Sequence, residues 1–301
     1  MINGTNPANF STNNVIGGIS SASGAKPAGG ASNQLDQREL SNWQQPQSPT
    51  SLNQDQTLLA QRAPNIPGPP SSTALAILSR DVYRDRSVQP LGFHTATPNE
   101  LKTLGLTREM LNPGGNSEFR AQVYVKSVGG EKQYVVAMRG TRFDNRTDWG
   151  SNIQQALGQN SDHYNRALAI GNALARSPGA NVTITGHSLG GGLAAATAVA
   201  SGRNAVTFNA AGLSNQTIER ADQIRSDAGA GGRGSVQAFY VYGEALTGLQ
   251  QNSLGRLPTA FGNNIALPAI APQGTIPIVG ESGVAKHGLD WVINGLQATG
   301  L

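Results

Sequence analysis

The sequence predicts an α/β domain with a mainly parallel central sheet that is entered through an antiparallel hairpin. Two observations lead to this prediction. Apolar and polar residues alternate over 118–128 and 132–138, on either side of Gly129-Gly130, a pattern typical of a hairpin. After the hairpin, short β-branched runs alternate with segments of helical periodicity, as they do where helices connect parallel strands.

Residues 1–70 differ in composition from the rest of the chain. They are rich in Ser, Asn, Gln, Gly and Pro, and the first 34 residues contain neither an acidic residue nor leucine. Such a composition buries too little apolar surface to offset the entropy of ordering the chain. We therefore expect a disordered segment over 1–70, with a transient helix near 54–61, and one folded domain over 71–301.

The folded domain is expected to open with a helix over 73–85, where Leu75, Leu78 and Val82 share one face. The hairpin follows. The remaining predicted elements are a helix over 162–176, a strand over 182–185, a helix after Ser188, a strand over 205–208, a helix over 215–225, a strand over 236–242 and a helix over 289–296. Helices on both faces of the sheet follow from this order.

Composition and charge exclude several classes of function. The chain has no cysteine, which excludes disulfides, thiol nucleophiles and thiolate-bound metals. The net charge of +4 comes from scattered residues after position 70, without a basic block or interleaved aromatics, so nucleic-acid binding is not expected. The apolar runs are too short for a transmembrane segment, and Lys26 is the first charged residue, which argues against a Sec signal peptide.

The segment VTITGHSLGGGLAAATAVA, residues 182–200, joins a β-branched strand to an alanine-rich helix. Glycine on both sides of Ser188 is typical of a nucleophile elbow, a sharp strand-to-helix turn with serine at its tip. Glycine at 186 and 190 removes Cβ atoms that would collide there, and the helix start directs backbone N–H groups at the reacting atom. The alternative is a packing turn or phosphate-binding loop, but this turn has neither the P-loop nor the G-x-G-x-x-G spacing.

A serine nucleophile needs a general base, and the base needs a carboxylate behind it. In folds that carry such an elbow, the chain order is Ser, acid, His. Of the four histidines, only His287 follows Ser188, so His287 is the predicted base. His187 is expected to pack against the turn, and His94 and His163 are expected to be ordinary surface residues.

The acidic partner has to lie between Ser188 and His287. The candidates are Glu219, Asp222, Asp227, Glu244 and Glu281. The first three belong to a polar helix and its exit, which favours a solvated surface. Glu244 directly follows the strand over 236–242 and Gly243, at the carboxyl end where catalytic groups collect in parallel sheets. Glu244 is therefore the predicted third member of the triad, followed by a loop over 245–249.

A second motif precedes the elbow. Residues 135–158, VVAMRGTRFDNRTDWGSNIQQALG, contain a strand, the tripeptide RGT and a charged, aromatic segment. The FRGT-like strand end, the following DW, the GHSLGG turn and the late histidine together resemble the class 3 (fungal-type) lipases, which have the α/β-hydrolase fold. The resemblance covers residues 73–298, although most members of that family have aspartate where this sequence has Glu244.

The resemblance implies an oxyanion hole and a lid. Thr141 would supply a backbone N–H and its hydroxyl, and Leu189 would supply the other N–H. Arg142, Asp148 and Trp149 would belong to a lid segment over the substrate site. No metal or organic cofactor is implied.

These features predict a serine hydrolase that cleaves carboxylic esters of lipids at a membrane surface. Phospholipid ranks ahead of triacylglycerol, because Arg139, Arg142 and Arg146 around the lid could bind phosphate. Two alternatives stay open: a lipid-binding protein without catalysis, and an esterase or thioesterase for a soluble substrate. The lipid head group and the oligomeric state are not predicted.

The N-terminal segment also suggests a route of delivery. Its acid-free, Ser/Asn-rich start without a Sec signal is similar to the leaders of bacterial type III effectors, and lipase-domain effectors of this kind occur in plant pathogens. We therefore expect secretion into a host cell by a non-Sec route. The alternative is a cytoplasmic enzyme with a disordered extension.

Overall fold

The computed structural model describes residues 68–115, 117–141, 161–253, 257–276 and 282–301. Nearly all of the predicted N-terminal segment lies outside these residues. The same is true of the predicted lid residues Arg142, Asp148 and Trp149.

Within the described ranges, one sheet is flanked by helices. Its strands are β1 (His94–Thr95), β2 (Ala121–Val128), β3 (Glu131–Met138), β4 (Asn181–His187), β5 (Asn204–Phe208), β6 (Val236–Val241) and β7 (Asn263–Leu267). The helices are α1 (Ser72–Asp81), α2 (Pro98–Thr103), α3 (Arg108–Leu111), α4 (Ser161–Ala175), α5 (Leu189–Ser201), α6 (Asn215–Asp227), α7 (Ala245–Asn252), α8 (Gly283–Lys286) and α9 (Leu289–Thr299).

The strands lie in the order β1 to β7, so each strand pairs with its neighbours in the sequence. The pairs β1–β2 and β2–β3 are antiparallel, and β3 to β7 are parallel. In this register Met138 lies opposite Gly186, and His187 lies opposite Phe208. The five parallel strands therefore end at one edge, called here the carboxyl edge. This is the α/β-hydrolase architecture, and the predicted hairpin entry is confirmed.

Two apolar layers hold the helices against the sheet. On one face α5, which is buried along its whole length, packs against α4 and α6. This close approach depends on small residues, because a Cβ on Gly171 of α4 would lie 2.6 Å from the Cβ of Ala200 on α5. On the other face α1 packs against α9, and the ion pair between Arg80 and Asp290 joins the two helices.

Several elements differ from the expectation. The strands β1 and β7 were not predicted, since β1 has two residues and β7 begins with two asparagines. The predicted loop over 245–249 is wrong, because these residues form the first turn and a half of α7. Glu244 stabilises that helix by capping it, a position that Ser, Thr, Asp and Asn usually occupy.

Among the residues that the structure describes, no helix is long and apolar enough to cross a bilayer.

Candidate active site

Ser188 is the single residue between β4 and α5, and its backbone conformation is one that residues other than glycine rarely adopt. Its φ is 59° and its ψ is −129°, and such strain persists only where the surroundings enforce it. The Ser188 N–H donates to the carbonyl of Phe208 at 3.1 Å, and the Ser188 carbonyl accepts from the N–H groups of Gly191 and Ala211 at 2.9 and 3.0 Å. Hydrogen bonds to β5 and its exit therefore hold the turn on both sides.

The two predicted glycines of the elbow are sterically required. A Cβ on Gly186 would lie 2.2 Å from the carbonyl oxygen of Gly190, which is the predicted collision of strand with helix. A Cβ on Gly190 would lie 2.3 Å from the carbonyl oxygen of Met138. The obstacle at Gly190 is therefore the end of the neighbouring strand β3.

The predicted oxyanion residues lie on adjoining chain segments. Thr141 follows the carboxyl end of β3, and Leu189 is the first residue of α5. Gly140 presses the end of β3 against the elbow, because a Cβ there would lie 2.7 Å from the carbonyl oxygen of His187 and 3.3 Å from the amide nitrogen of Gly190. The first amide of a helix has no partner inside that helix, so the Leu189 N–H can serve an external acceptor.

His287 and Glu244 form a buried pair. The distance between His287 Nδ1 and Glu244 Oε2 is 2.6 Å, and the two residues are 3% and 1% exposed. The Glu244 carboxylate also caps α7: Oε2 accepts from the Leu246 N–H at 2.8 Å, and Oε1 accepts from the Thr247 N–H. Amides of a helix start thus fix the carboxylate while it holds the imidazole ring.

The environment of Glu244 favours its ionised form. Burial by itself raises the pKa of the carboxyl, but the hydrogen bond and charge of His287, together with the bonds from Thr247, outweigh burial. The pKa of Glu244 therefore lies below its ordinary value, and the carboxylate can stabilise an imidazolium at His287.

His187 does more than pack against the turn. Its Nε2 lies 2.7 Å from the carbonyl oxygen of His287, and its Nδ1 lies 3.1 Å from the hydroxyl of Tyr83. The rings of His187 and His287 are 4.8 Å apart at their centroids. Burial, and then the nearby charge of His287, lower the pKa of His187 to about 3. His187 is therefore a neutral neighbour of the predicted base.

Asn209 is a site residue that sequence reasoning missed. It follows β5 at the carboxyl edge, is buried and has a φ of 43°. Its Nδ2 donates to the carbonyl of His287 at 2.9 Å, and its Oδ1 accepts from the N–H of Val241 at 2.9 Å. The available signal was its place, since polar residues directly after parallel strands collect at functional edges.

The remaining histidines have other surroundings. His94 bonds to Glu100 through Nε2, at 3.1 Å to Oε2, and His163 packs against Phe119 with ring centroids 5.8 Å apart. Neither contact involves a predicted site residue. The carboxyl edge thus gathers a serine on a strained elbow, a buried histidine–glutamate pair and backbone amides, groups that suit nucleophilic acyl transfer.

Similar solved structures include esterases and related hydrolases. An esterase of Pyrobaculum calidifontis is 12% identical, with 76% of this chain and 90% of that chain covered at a TM-score of 0.28. A dienelactone hydrolase-like promiscuous phosphotriesterase from metagenomic libraries is 16% identical, with 56% and 74% covered, also at 0.28.

Sequence relatives are closer. An extracellular phospholipase A1 of Serratia liquefaciens is 36% identical over 235 residues, which cover 74% of this chain and 69% of that protein. Residues 74–290 match the phospholipase-like family of Tle-like phospholipase domains. The match lies within the predicted folded domain and runs from the third residue of α1 to the start of α9. The chain belongs to the Tle-like phospholipase domain family and is an ester hydrolase of the lipase and phospholipase type.

Proposed function

We propose that the chain is a phospholipase that cleaves a fatty acyl ester through a triad of Ser188, His287 and Glu244. The observation that carries this proposal is the buried 2.6 Å contact between His287 and Glu244 at the sheet edge where Ser188 occupies a strained elbow. Family membership supplies the substrate class, since the matched domain is a phospholipase domain.

The proposed chemistry has two half-reactions. His287 takes the proton of the Ser188 hydroxyl as Oγ attacks the ester carbonyl carbon, and the oxyanion accepts hydrogen bonds from Thr141 and Leu189. Each such donor typically contributes roughly 3 kcal/mol to the transition state. Collapse breaks the ester C–O bond, and His287 gives its proton to the departing alcohol oxygen. In the second half-reaction His287 takes a proton from water as the water oxygen attacks the acyl carbon. The bond to Ser188 Oγ then breaks, His287 returns the proton to Oγ, and the fatty acid leaves.

The outer surface of the carboxyl edge suits contact with a membrane. Three large apolar side chains are exposed in the segments that follow β6 and β7: Tyr242 at 73%, Ile270 at 43% and Ile276 at 71%. Tyr242 stays beside β7, because its N–H donates to the carbonyl of Leu267 at 3.0 Å. Exposed apolar side chains near such a site can enter the interface of a bilayer.

The name of the Serratia relative suggests which ester bond is cleaved, and the arginines of the proposed lid suggest which residues bind the phosphate. The Serratia protein is named a phospholipase A1, so the sn-1 ester is the candidate bond. Arg139 is engaged within the fold, since its guanidinium donates to the carbonyl of Glu118 at 2.6 Å. Phosphate binding is therefore proposed for Arg142 and Arg146, which belong with Asp148 and Trp149 to the proposed lid segment.

The test compares the wild type with Ser188→Ala on phosphatidylcholine liposomes labelled at sn-1 or sn-2, on emulsified triacylglycerol and on a water-soluble ester. We expect release of the sn-1 label first, and loss of both hydrolysis and fluorophosphonate labelling in Ser188→Ala. An active Ser188→Ala variant would refute the triad. Preference for the soluble ester would favour an esterase, and lipid binding without labelling of the wild type would favour a non-catalytic protein.

We also propose export by a non-Sec, type III-like route. The support is the acid-free composition of residues 1–34 and the extracellular location in the name of the Serratia relative. Residues 1–60 fused to a translocation reporter test this proposal. Equal export from a strain that lacks the secretion ATPase would exclude the type III route.

A further inference from the structure

We propose that His187 is a positioning residue that holds the base and the oxyanion arm in one arrangement, through its two ring nitrogens. The inference rests on the proposed triad. It concerns two residues outside that triad. Tyr83 lies two residues after the end of α1, and His187 is the last residue of β4.

The direction of each hydrogen bond follows from its partners. The His287 carbonyl can only accept, so His187 Nε2, at 2.7 Å, carries the proton. A neutral imidazole then presents Nδ1 as an acceptor, and the Tyr83 hydroxyl donates to it across 3.1 Å. The Tyr83 oxygen in turn accepts from the Gly140 N–H at 3.1 Å. A directed chain thus runs from Gly140 through Tyr83 and His187 to His287.

The base receives support from three adjacent strand ends. At the end of β4, His187 donates to the His287 carbonyl; after β5, Asn209 donates to the same carbonyl at 2.9 Å. After β6, Glu244 accepts from the ring at 2.6 Å. Two bonds fix the main chain of His287 and one fixes its ring, so a shift of the residue breaks at least one bond.

The oxyanion arm depends on the same hydroxyl. Gly140 directly precedes Thr141, and a Cβ on Gly140 would lie 2.5 Å from the Tyr83 oxygen. The Tyr83 hydroxyl therefore sets the position of the Gly140 backbone. The same hydroxyl lies 3.4 Å from the carbonyl oxygen of His187. Loss of the hydroxyl removes the acceptor of the Gly140 N–H and the donor to His187 in one step.

The neutral state of His187 suits this role. His287 has to become an imidazolium while its ring centroid stays 4.8 Å from that of His187. A second positive charge at this distance would disfavour proton transfer to the base. A neutral ring can hold the His287 carbonyl without opposing the charge that forms.

Two substitutions at position 187 separate the two bonds. In His187→Gln the amide nitrogen reaches the place of Nε2 and keeps the donor to His287. In His187→Asn the shorter amide reaches only the place of Nδ1 and loses that donor. Tyr83→Phe breaks the chain at its middle. Tyr124→Phe is the matched control, because Tyr124 is a buried tyrosine whose hydroxyl donates to Asp81 at 2.8 Å, a residue outside the hydrogen-bond chain from Gly140 to His287.

We expect Tyr83→Phe and His187→Asn to lower kcat tenfold to a hundredfold with little change in KM, as small misplacements of reacting groups do. His187→Gln should retain most of the kcat, and Tyr124→Phe should keep the wild-type kcat while losing thermal stability. Rates are expressed per active site, titrated to completion with fluorophosphonate, so that unfolded protein does not count.

Two results would overturn the positioning role. One is a wild-type kcat per titrated site in both Tyr83→Phe and His187→Asn; the other is an equal loss of kcat in Tyr124→Phe. Either result leaves the triad standing as long as Ser188→Ala is inactive. An active Ser188→Ala variant would instead remove the proposed function itself.

Discussion

Two glutamate–histidine pairs lie at different ends of the sheet and differ in the exposure of the histidine and in the other partners of the glutamate. His287 and Glu244, after β6, are 2.6 Å apart, and both side chains are almost completely buried. His94 and Glu100, beside the first residues of β3, are 3.1 Å apart, and the His94 side chain is 43% exposed. Glu100 is also 2.9 Å from the ammonium of Lys132. We call them the carboxyl-edge pair and the amino-edge pair.

The difference shows what makes such a contact useful for catalysis. The Glu100 carboxylate is shared among His94, Lys132 and the N–H and hydroxyl of Thr97, which form the capping box of α2. The Glu100 carboxylate therefore stabilises the start of α2 and its contact with β3. Glu244 also caps a helix, α7, but the ionisable side chain to which it bonds is the imidazole of His287, through Nδ1. That leaves Nε2 as the nitrogen for proton exchange with Ser188 in the proposed triad.

The largest expected effect separates the two pairs by activity. Glu244→Gln should lower kcat about 10⁴-fold, because the amide no longer stabilises the imidazolium or its tautomer. Glu100→Gln should keep the wild-type kcat and lose roughly 1–3 kcal/mol of unfolding free energy, the cost of a mismatched buried acceptor. Initial rates on phosphatidylcholine liposomes and urea unfolding measure both quantities.

The comparison would fail in either of two ways. An active Glu244→Gln variant beside an inactive Asp222→Asn or Asp227→Asn would move the acid to the polar helix α6. A loss of kcat in Glu100→Gln at full folding would mean that the amino-edge pair also acts in the reaction.

A smaller effect separates the two ends by pH. His187 has a folded pKa of about 3, below its unfolded value of about 6.5, so the unfolded chain takes up its proton first. Its contribution to stability is complete above pH 6.5 and is lost as the pH falls towards 3, by up to about 1.4 kcal/mol per pH unit. The pKa of Glu100 is held at about 2: burial alone would raise it, but hydrogen bonds from Thr97, Lys132 and His94 outweigh burial. The Glu100 contribution is therefore lost only between about pH 4.5 and 2.

Urea unfolding between pH 7 and 3.5 checks these windows. The stability difference between wild type and His187→Gln should shrink from pH 6.5 downward, whereas that between wild type and Glu100→Gln should stay constant down to about pH 4.5. Parallel curves for wild type and His187→Gln over the whole range would contradict a depressed pKa at His187.

The smallest expected effect concerns Lys132. Its side chain is half exposed, and exposed ion pairs contribute little to stability because water and salt screen them. Lys132→Met should therefore lower the unfolding free energy only slightly, less at high salt, and leave kcat unchanged. A loss as large as that of Glu100→Gln would show that the amino-edge pair depends on its lysine far more than its exposure indicates.

The sequence carried the parts of the site that obey local rules. The glycines around Ser188, the strand before it and the position of Glu244 after an apolar strand are visible in short segments. The glycine-flanked elbow and the hairpin entry to a mainly parallel sheet agree with that expectation. The roles of Thr141 and Leu189 in the oxyanion hole, and of the three residues of the triad, remain predictions.

What the sequence did not reveal depends on contacts between distant segments. Tyr83 and His187 are 104 positions apart, and Asn209 and His287 are 78 apart. No periodicity or motif connects such residues. The helix α7 was missed for another reason: glutamate is an unusual N-cap, and Glu244 holds that place because the same carboxylate binds His287.

The order of the strands has a consequence for synthesis. Because each strand pairs with the one before it, the sheet can grow in the order in which a ribosome or a transport channel delivers the chain. Ser188 emerges with β4 and Glu244 after β6, whereas His287 emerges only just before α9, the helix that packs back on α1. In the proposed triad, the nucleophile therefore has no base until that point. For the proposed phospholipase, made beside the membranes of its own producer, this order of emergence postpones hydrolysis until His287 and α9 have docked.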